Sequence, residues 1–117
     1  MKKEKKPIKF MSQWGEEYNI IFVKDNYANN NRIYVGCMCE DEEYGGYEPY
    51  CSVTVNIDFP LPEGNFAFLD TNNGDRNLFK LMFDKGYMEE IEGLMGFSGF
   101  CAYPVVKFSD EFIEMIS

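Results

Sequence analysis

RIYVGCMCE (residues 32–40) and YCSVTVNI (residues 50–57) are the stretches on which the fold turns. In the first, Ile33, Val35, Cys37 and Cys39 alternate with Tyr34, Gly36 and Met38; in the second, Cys51, Val53, Val55 and Ile57 alternate with Ser52, Thr54 and Asn56. A period of two places each set on one face of a strand, so both stretches read as strands with one buried face. The loop between them is centred on Gly45-Gly46, and together they form a long hairpin. Working outward, YNIIFVK (residues 18–24) is rich in β-branched and aromatic residues and follows the Gly15-Glu16-Glu17 turn. The asparagine-rich loop over residues 25–31 tolerates left-handed backbone and allows the chain to reverse. A three-stranded antiparallel meander over about residues 18–57 results, with residues 9–14 as a short partner at its edge.

Pro60 and Pro62 end this block, because proline cannot donate to a central ladder. NFAFLD (residues 65–70) suits a fourth strand, and residues 71–75 carry turn chemistry that leads into a helix cap. A helix is expected over residues 76–85, with Leu78, Leu81, Met82 and Lys85 at helical spacing, Phe79 and Phe83 on an adjoining stripe, and Gly86 as its left-handed stop. Over residues 87–95, Met88, Ile91, Leu94 and Met95 suit a second short helix that Gly93 and Gly96 weaken, and residues 93–99 read as a glycine-rich turn. Residues 100–108 read as a strand broken or bent at Pro104, followed by a last helical turn or two capped by Ser109. The expected fold is α+β, an antiparallel meander sheet of about four to five strands packed against one or two short helices.

The charge is uneven. The 117-residue chain carries a formal −9 and its first ten residues, with five lysines against Glu4, carry +4, which leaves −13 on the other 107. The expected organisation is a basic N-terminal arm over residues 1–10 and a single acidic α+β domain over residues 11–117. An acidic body repels phosphate backbones and anionic lipid and attracts basic protein surfaces over a Debye length of ~8 Å at physiological salt. Direct DNA binding by the body is disfavoured, although the N-terminal lysines could touch nucleic acid within a complex. The same charge also serves plain solubility. No apolar run approaches a membrane span, and Pro7, Lys9 and Glu16-Glu17 interrupt any signal-peptide core, so a cytoplasmic protein is expected.

The sequence contains no histidine, which removes imidazole acid–base chemistry, Ser-His-Asp or Cys-His relays and His-ligated metals. Cys37 and Cys39 are one residue apart on a strand, while Cys51 and Cys101 stand alone. That spacing lacks the tight knuckles of a four-thiolate zinc site, and the thiols read as reduced, buried packing groups. Residues 70–75 superficially resemble a calcium loop, but glycine occupies the fifth place and Leu81 the twelfth, so helix capping explains them better. No pair of carboxylates has a spacing that specifies acid–base catalysis, and residues 93–99 lack the Lys-Ser/Thr ending of a phosphate loop. The chain is expected to be non-enzymatic, without cofactor or metal.

The candidate binding site is the hairpin tip. Glu40, Asp41, Glu42, Glu43 and Glu48 interleave there with Tyr44, Tyr47 and Tyr50, giving an acidic and aromatic surface suited to a basic groove. The tyrosines serve either such an interface or packing at the sheet edge.

The strings EKKPIKF, WGEEYNI, IYVGCMCEDEEYG, FLDTNN and GFSGFCAYPVVKF together resemble small proteins of unknown function carried by plasmids, conjugative transposons and phages of Gram-positive bacteria. The likeness spans most of the chain and brings no residue of assigned chemistry with it. What it implies is context, since small acidic proteins of mobile elements often disarm host defence. The resulting expectation is an anti-CRISPR protein that binds and inhibits a bacterial defence nuclease, above all a type II CRISPR effector or its guide-RNA complex, by covering a basic surface. An accessory or scaffolding protein of plasmid transfer, or an enzyme acting on guide RNA, are the alternatives.

Overall fold

The computed structural model describes residues 7–117. The first four strands are β1 (Ile8–Met11), β2 (Glu17–Asn26), β3 (Ile33–Glu40) and β4 (Tyr47–Ser52), which form one antiparallel sheet in the order β1-β2-β3-β4. The expected meander and its edge strand are therefore present. Of the basic arm, residues 1–6 lie outside the described residues, and Lys9 and Phe10 belong to β1. Ile20 opposes Cys39 and Phe22 opposes Cys37, so the apolar alternation of β2 meets that of β3 on the same face. Asn31 supplies the left-handed residue of the intervening loop, at φ 59°.

A second four-stranded antiparallel sheet follows, built from β5 (Thr54–Val55), β6 (Phe66–Leu69), β7 (Met88–Ser98) and β8 (Cys101–Phe108) in the order β5-β6-β8-β7. Two helices complete the fold, α1 (Arg76–Asp84) and α2 (Asp110–Ile116). The class is α+β, and the sheet content exceeds the expected single sheet because the stretch over residues 50–57 is divided between the two sheets. Val53 is the junction: its N–H donates to Val35 O in the first sheet (2.9 Å), and its carbonyl accepts from Asp70 N beside the second (2.9 Å). Thr54, expected on the solvent face, is buried instead. Its hydroxyl oxygen accepts from Val35 N (3.2 Å) and lies 2.9 Å from the Tyr27 hydroxyl, so the polar group is satisfied inside the core.

The main core lies between the sheets and beneath the helices. Phe10, Ile20, Phe22, Val35 and Cys37 from the first sheet meet Ala67, Leu69, Val106 and Phe108 from the second, with Leu78 and Met82 from α1 and Phe112 and Ile116 from α2. The period of two sends Phe68, Tyr103 and Val105 to the opposite face of the second sheet, where they form a smaller cluster with Ile57. Arg32 ties down the segment that covers it, donating to the carbonyls of Ile57 (3.0 Å) and Phe59 (2.7 Å) and lying over the Phe68 ring.

The helix ends behave as their chemistry dictates. Asp75 caps α1 by accepting from Asn77 N (2.8 Å), and Ser109 caps α2 by accepting from Phe112 N (3.1 Å). At the other end of α1, Gly86 adopts φ +72°, its N–H donates to Phe83 O and the next N–H, of Tyr87, reaches Met82 O, a complete Schellman stop.

The segment over residues 87–95 is a strand, not a second helix. Glu90 pairs with Val106 and Met95 with Pro104, so residues 91–94 bulge out of β7 around Gly93 at φ +81°. The bulge spaces Met88, Ile91 and Met95 as a helix would. β8 passes through Pro104 unbroken: the ladder to β6 ends at Val105, one residue short of it, so no β6 partner is left waiting for the N–H that proline lacks. Gly96 is part of the strand, and an added Cβ would run into the Phe68 ring and Ile57. The β7–β8 corner leaves Phe97 and Phe100 exposed. Among the described residues, no helix is long and apolar enough to cross a membrane.

Candidate functional site

In a meander, alternate turns fall at the same end of the sheet. The β3–β4 turn carries Asp41 to Gly46, and the β1–β2 turn carries Ser12 to Glu16. Their neighbourhood is fixed by the register, since Met11 opposes Glu17, Ile20 opposes Cys39 and Glu40 opposes Tyr47. Asn19 Nδ2 also donates to Glu40 Oε2 across the sheet (3.2 Å). Glu16 and Glu17 therefore join Glu40, Asp41, Glu42, Glu43 and Glu48 at one end of the protein. Trp14, 70% exposed, and Tyr44, 84% exposed, are the large rings of this end, with Tyr47 partly exposed. Trp14, Glu16 and Glu17 are absent from the site read off the hairpin alone, although the meander topology itself was the signal that could have located them.

Both turns are held by hydrogen bonds rather than by packing. The Ser12 hydroxyl is buried and accepts from Glu16 N (3.1 Å) and Trp14 N (3.3 Å), and Gly15 at φ +83° closes the turn. In the other turn, Asp41 Oδ1 accepts from Glu43 N (3.0 Å) and Tyr44 N (3.1 Å), while Gly45 N reaches Asp41 O. Asp41 is thus partly occupied in shaping the tip. Glu42 and Glu43 are exposed, and Glu48 accepts weakly from the Cys39 thiol (3.8 Å). Among the described residues, the Lys80–Asp84 pair is the ion pair present, and it lies on α1, so no cation there neutralises the acidic end.

Tyr50 lies apart from the tip. Cys37 opposes Cys51 and Met38 opposes Pro49, so Tyr50 is the extra residue of a β-bulge. The bulge turns its ring inward against Phe10 and Tyr18, and its hydroxyl donates to Asp75 Oδ2 (2.7 Å). Next to it, the Tyr18 hydroxyl donates to the Glu16 carboxylate, which with smaller contributions from burial and nearby charge pushes the phenol up to about 12. In an alkaline titration followed by tyrosinate absorbance, the Tyr18→Phe difference curve should place this group about 2 units above an ordinary tyrosine, and Glu16→Gln should return it toward 10. A Tyr18 that ionises with the other tyrosines would show that the bond does not form in solution.

Cys37 and Cys39 are buried as expected, whereas Cys51 and Cys101 are only half-buried, and all four are free thiols. Asp70 Oδ1 accepts from Asn73 N (3.2 Å) and Asp75 caps α1, so both carboxylates of the calcium-like loop are engaged in turns. No three Cys, Asp or Glu side chains among the described residues converge where they could hold a metal ion. An open groove of about 480 Å³ lies between the end of α1 and the start of α2, with Phe83, Met88, Glu89 and Lys107 in its lining. Lys107 there leans over the Phe66 ring.

Residues 22–114, well over half of the chain, match a family model described as a domain of unknown function (DUF4313). The match includes the acidic tip and begins after the β1–β2 turn. No curated protein and no solved structure matches the chain.

Proposed function

The chain belongs to the DUF4313 family, and we propose that it is a non-enzymatic inhibitor whose acidic end docks on the cationic surface of a bacterial defence nuclease, a type II CRISPR effector in the first instance. The observation that carries this reading is the convergence of two turns, which gathers Glu16, Glu17, Glu40, Glu42, Glu43 and Glu48 without a neutralising cation among the described residues and sets Trp14 and Tyr44 among them. A nuclease groove lined by Lys and Arg for phosphates is complementary in sign, and rigid aromatic rings supply contact area at low entropic cost. Occupying that groove excludes nucleic acid by competition, without chemistry on either partner.

The test is binding of the purified chain to a type II CRISPR effector loaded with guide RNA, with DNA cleavage measured in parallel. Stoichiometric inhibition is expected, with affinity falling as salt rises. The variant Glu40→Gln, Asp41→Asn, Glu42→Gln, Glu43→Gln should weaken binding at least tenfold, about 1.4 kcal/mol. Its melting curve should stay unchanged, because an asparagine in place of Asp41 keeps the side-chain oxygen that holds the turn. Equal affinity of this variant and the parent would remove the acidic end from the mechanism. Inhibition at amounts far below the effector would indicate an enzyme acting on guide RNA, and capture of relaxase with cleavage intact would indicate a role in plasmid transfer.

A further inference from the structure

We propose that Cys37 and Cys51 form a redox-reactive dithiol, a modification site in which Cys51 is the attacking sulfur and Cys37 the resolving one. The pair faces directly across adjacent antiparallel strands. Residues so opposed have Cα atoms roughly 4.5–5.5 Å apart, which falls inside the window of about 4.4–6.8 Å that a disulfide requires. Both side chains pack into the same core, so the two sulfurs lie on one face of the sheet. Cys37 is 2% exposed while Cys51 is half-buried, so a small oxidant reaches Cys51 first.

The surroundings divide the roles. Donation from Cys37, together with the backbone N–H of Asp75 at the start of α1, draws the Cys51 thiol below its ordinary value, against burial and the Asp75 and Asp70 carboxylates. The same hydrogen bond and burial push the Cys37 thiol up, so Cys37 keeps its proton. The remaining thiols lack such a partner sulfur. Cys39 opposes Glu48, toward which its thiol points, and burial pushes that thiol up. Cys101 belongs to the other sheet and opposes Ser98.

With a peroxide as the oxidant, the Cys51 thiolate attacks one peroxide oxygen and breaks the O–O bond, giving a sulfenic acid and, after proton uptake, water. The Cys37 sulfur then displaces the sulfenic oxygen, which leaves as a second water with the Cys37 proton, and the S–S bond forms. The two sulfurs together lose two electrons and the peroxide gains them. The bond would join β3 to β4 directly beneath the acidic tip.

The full chain is treated with hydrogen peroxide, free thiols are blocked, and the protein is mapped by mass spectrometry. Two of the four cysteines should escape blocking, with the mass of two hydrogens lost and one linked peptide pair, Cys37 to Cys51. In Cys37→Ser, dimedone should trap a sulfenic acid on Cys51; in Cys51→Ser, Cys37 should stay reduced. Should either variant fail to fold, the parent's map decides alone. A linkage between any other pair, or four intact thiols under peroxide that oxidises free glutathione, would overturn the assignment.

Discussion

Truncating Phe112 to alanine is expected to destabilise the protein by about 3–5 kcal/mol, a large share of the ~5–15 kcal/mol that holds an ordinary domain folded. Phe112 is 1% exposed and, with Ile116, fastens α2 to the core between the sheets. Its ring stacks on Tyr87 (centroids 4.7 Å apart) and on Phe108 (5.6 Å), and meets Phe22 edge-on (5.3 Å). The alanine loses the transfer energy of the ring, the aromatic contacts at roughly 0.5–1.5 kcal/mol each, and leaves a cavity that two strands of different sheets and a loop cannot all close. Urea denaturation measures the effect as a lower midpoint at constant slope. Phe100→Ala is the matched control, because that ring is fully exposed and its loss should stay within about 0.5 kcal/mol. A loss below about 1 kcal/mol for Phe112→Ala would show that α2 is not anchored as described.

Replacing Asp75 by alanine should cost about 3 kcal/mol, more than a helix cap alone, which is worth ~1 kcal/mol. Asp75 is 2% exposed and joins three distant parts of the chain. Its Oδ1 accepts from Asn77 N (2.8 Å), and its Oδ2 accepts from the Tyr50 hydroxyl (2.7 Å) and from Gln13 N (3.3 Å). Alanine removes the acceptor of all three donors, and because these bonds are only part-buried, water makes up part of the loss, which keeps it below the sum of ~1.5–3 kcal/mol per hydrogen bond to a charged acceptor. Tyr50→Phe removes one donor and spares the others, so its cost should be about 1–2 kcal/mol. Burial and then the hydrogen bond to Asp75 push the Tyr50 phenol up from 10.0. A group raised in the folded state stabilises fully below its unfolded value, so this contribution is intact below about pH 10 and fades as pH climbs above it. Tyr50→Phe should flatten that alkaline decline, and denaturation midpoints across the range measure it.

Much of this architecture is visible in the order of residues. Ile33, Val35, Cys37 and Cys39 announce a one-faced strand, and Asp75, Gly86 and Ser109 mark helix ends by chemistry that acts within a few residues. What escapes such reading depends on backbone departures from a regular period. The bulge at Tyr50 lets two consecutive residues face the interior, and the bulge around Gly93 imitates helical spacing in a strand. The passage through Val53 cuts one alternating run into two strands of different sheets. The tip carboxylates Glu40, Glu42 and Glu43 are legible as a charge run. The occupation of Asp41 in its own turn and of Tyr50 with Asp75 is not, because it is set by loop conformation and by a partner 25 positions away.

Because Val53 is hydrogen-bonded to β3 and to Asp70 at the end of β6, and the two sheets share one core, they are coupled rather than joined by a free tether. The apolar corner with Phe97 and Phe100 is carried at a set bearing from the acidic end on a body of 41 × 36 × 26 Å. Any macromolecule held at the acidic end would meet this corner in one fixed orientation, set by the frame between them.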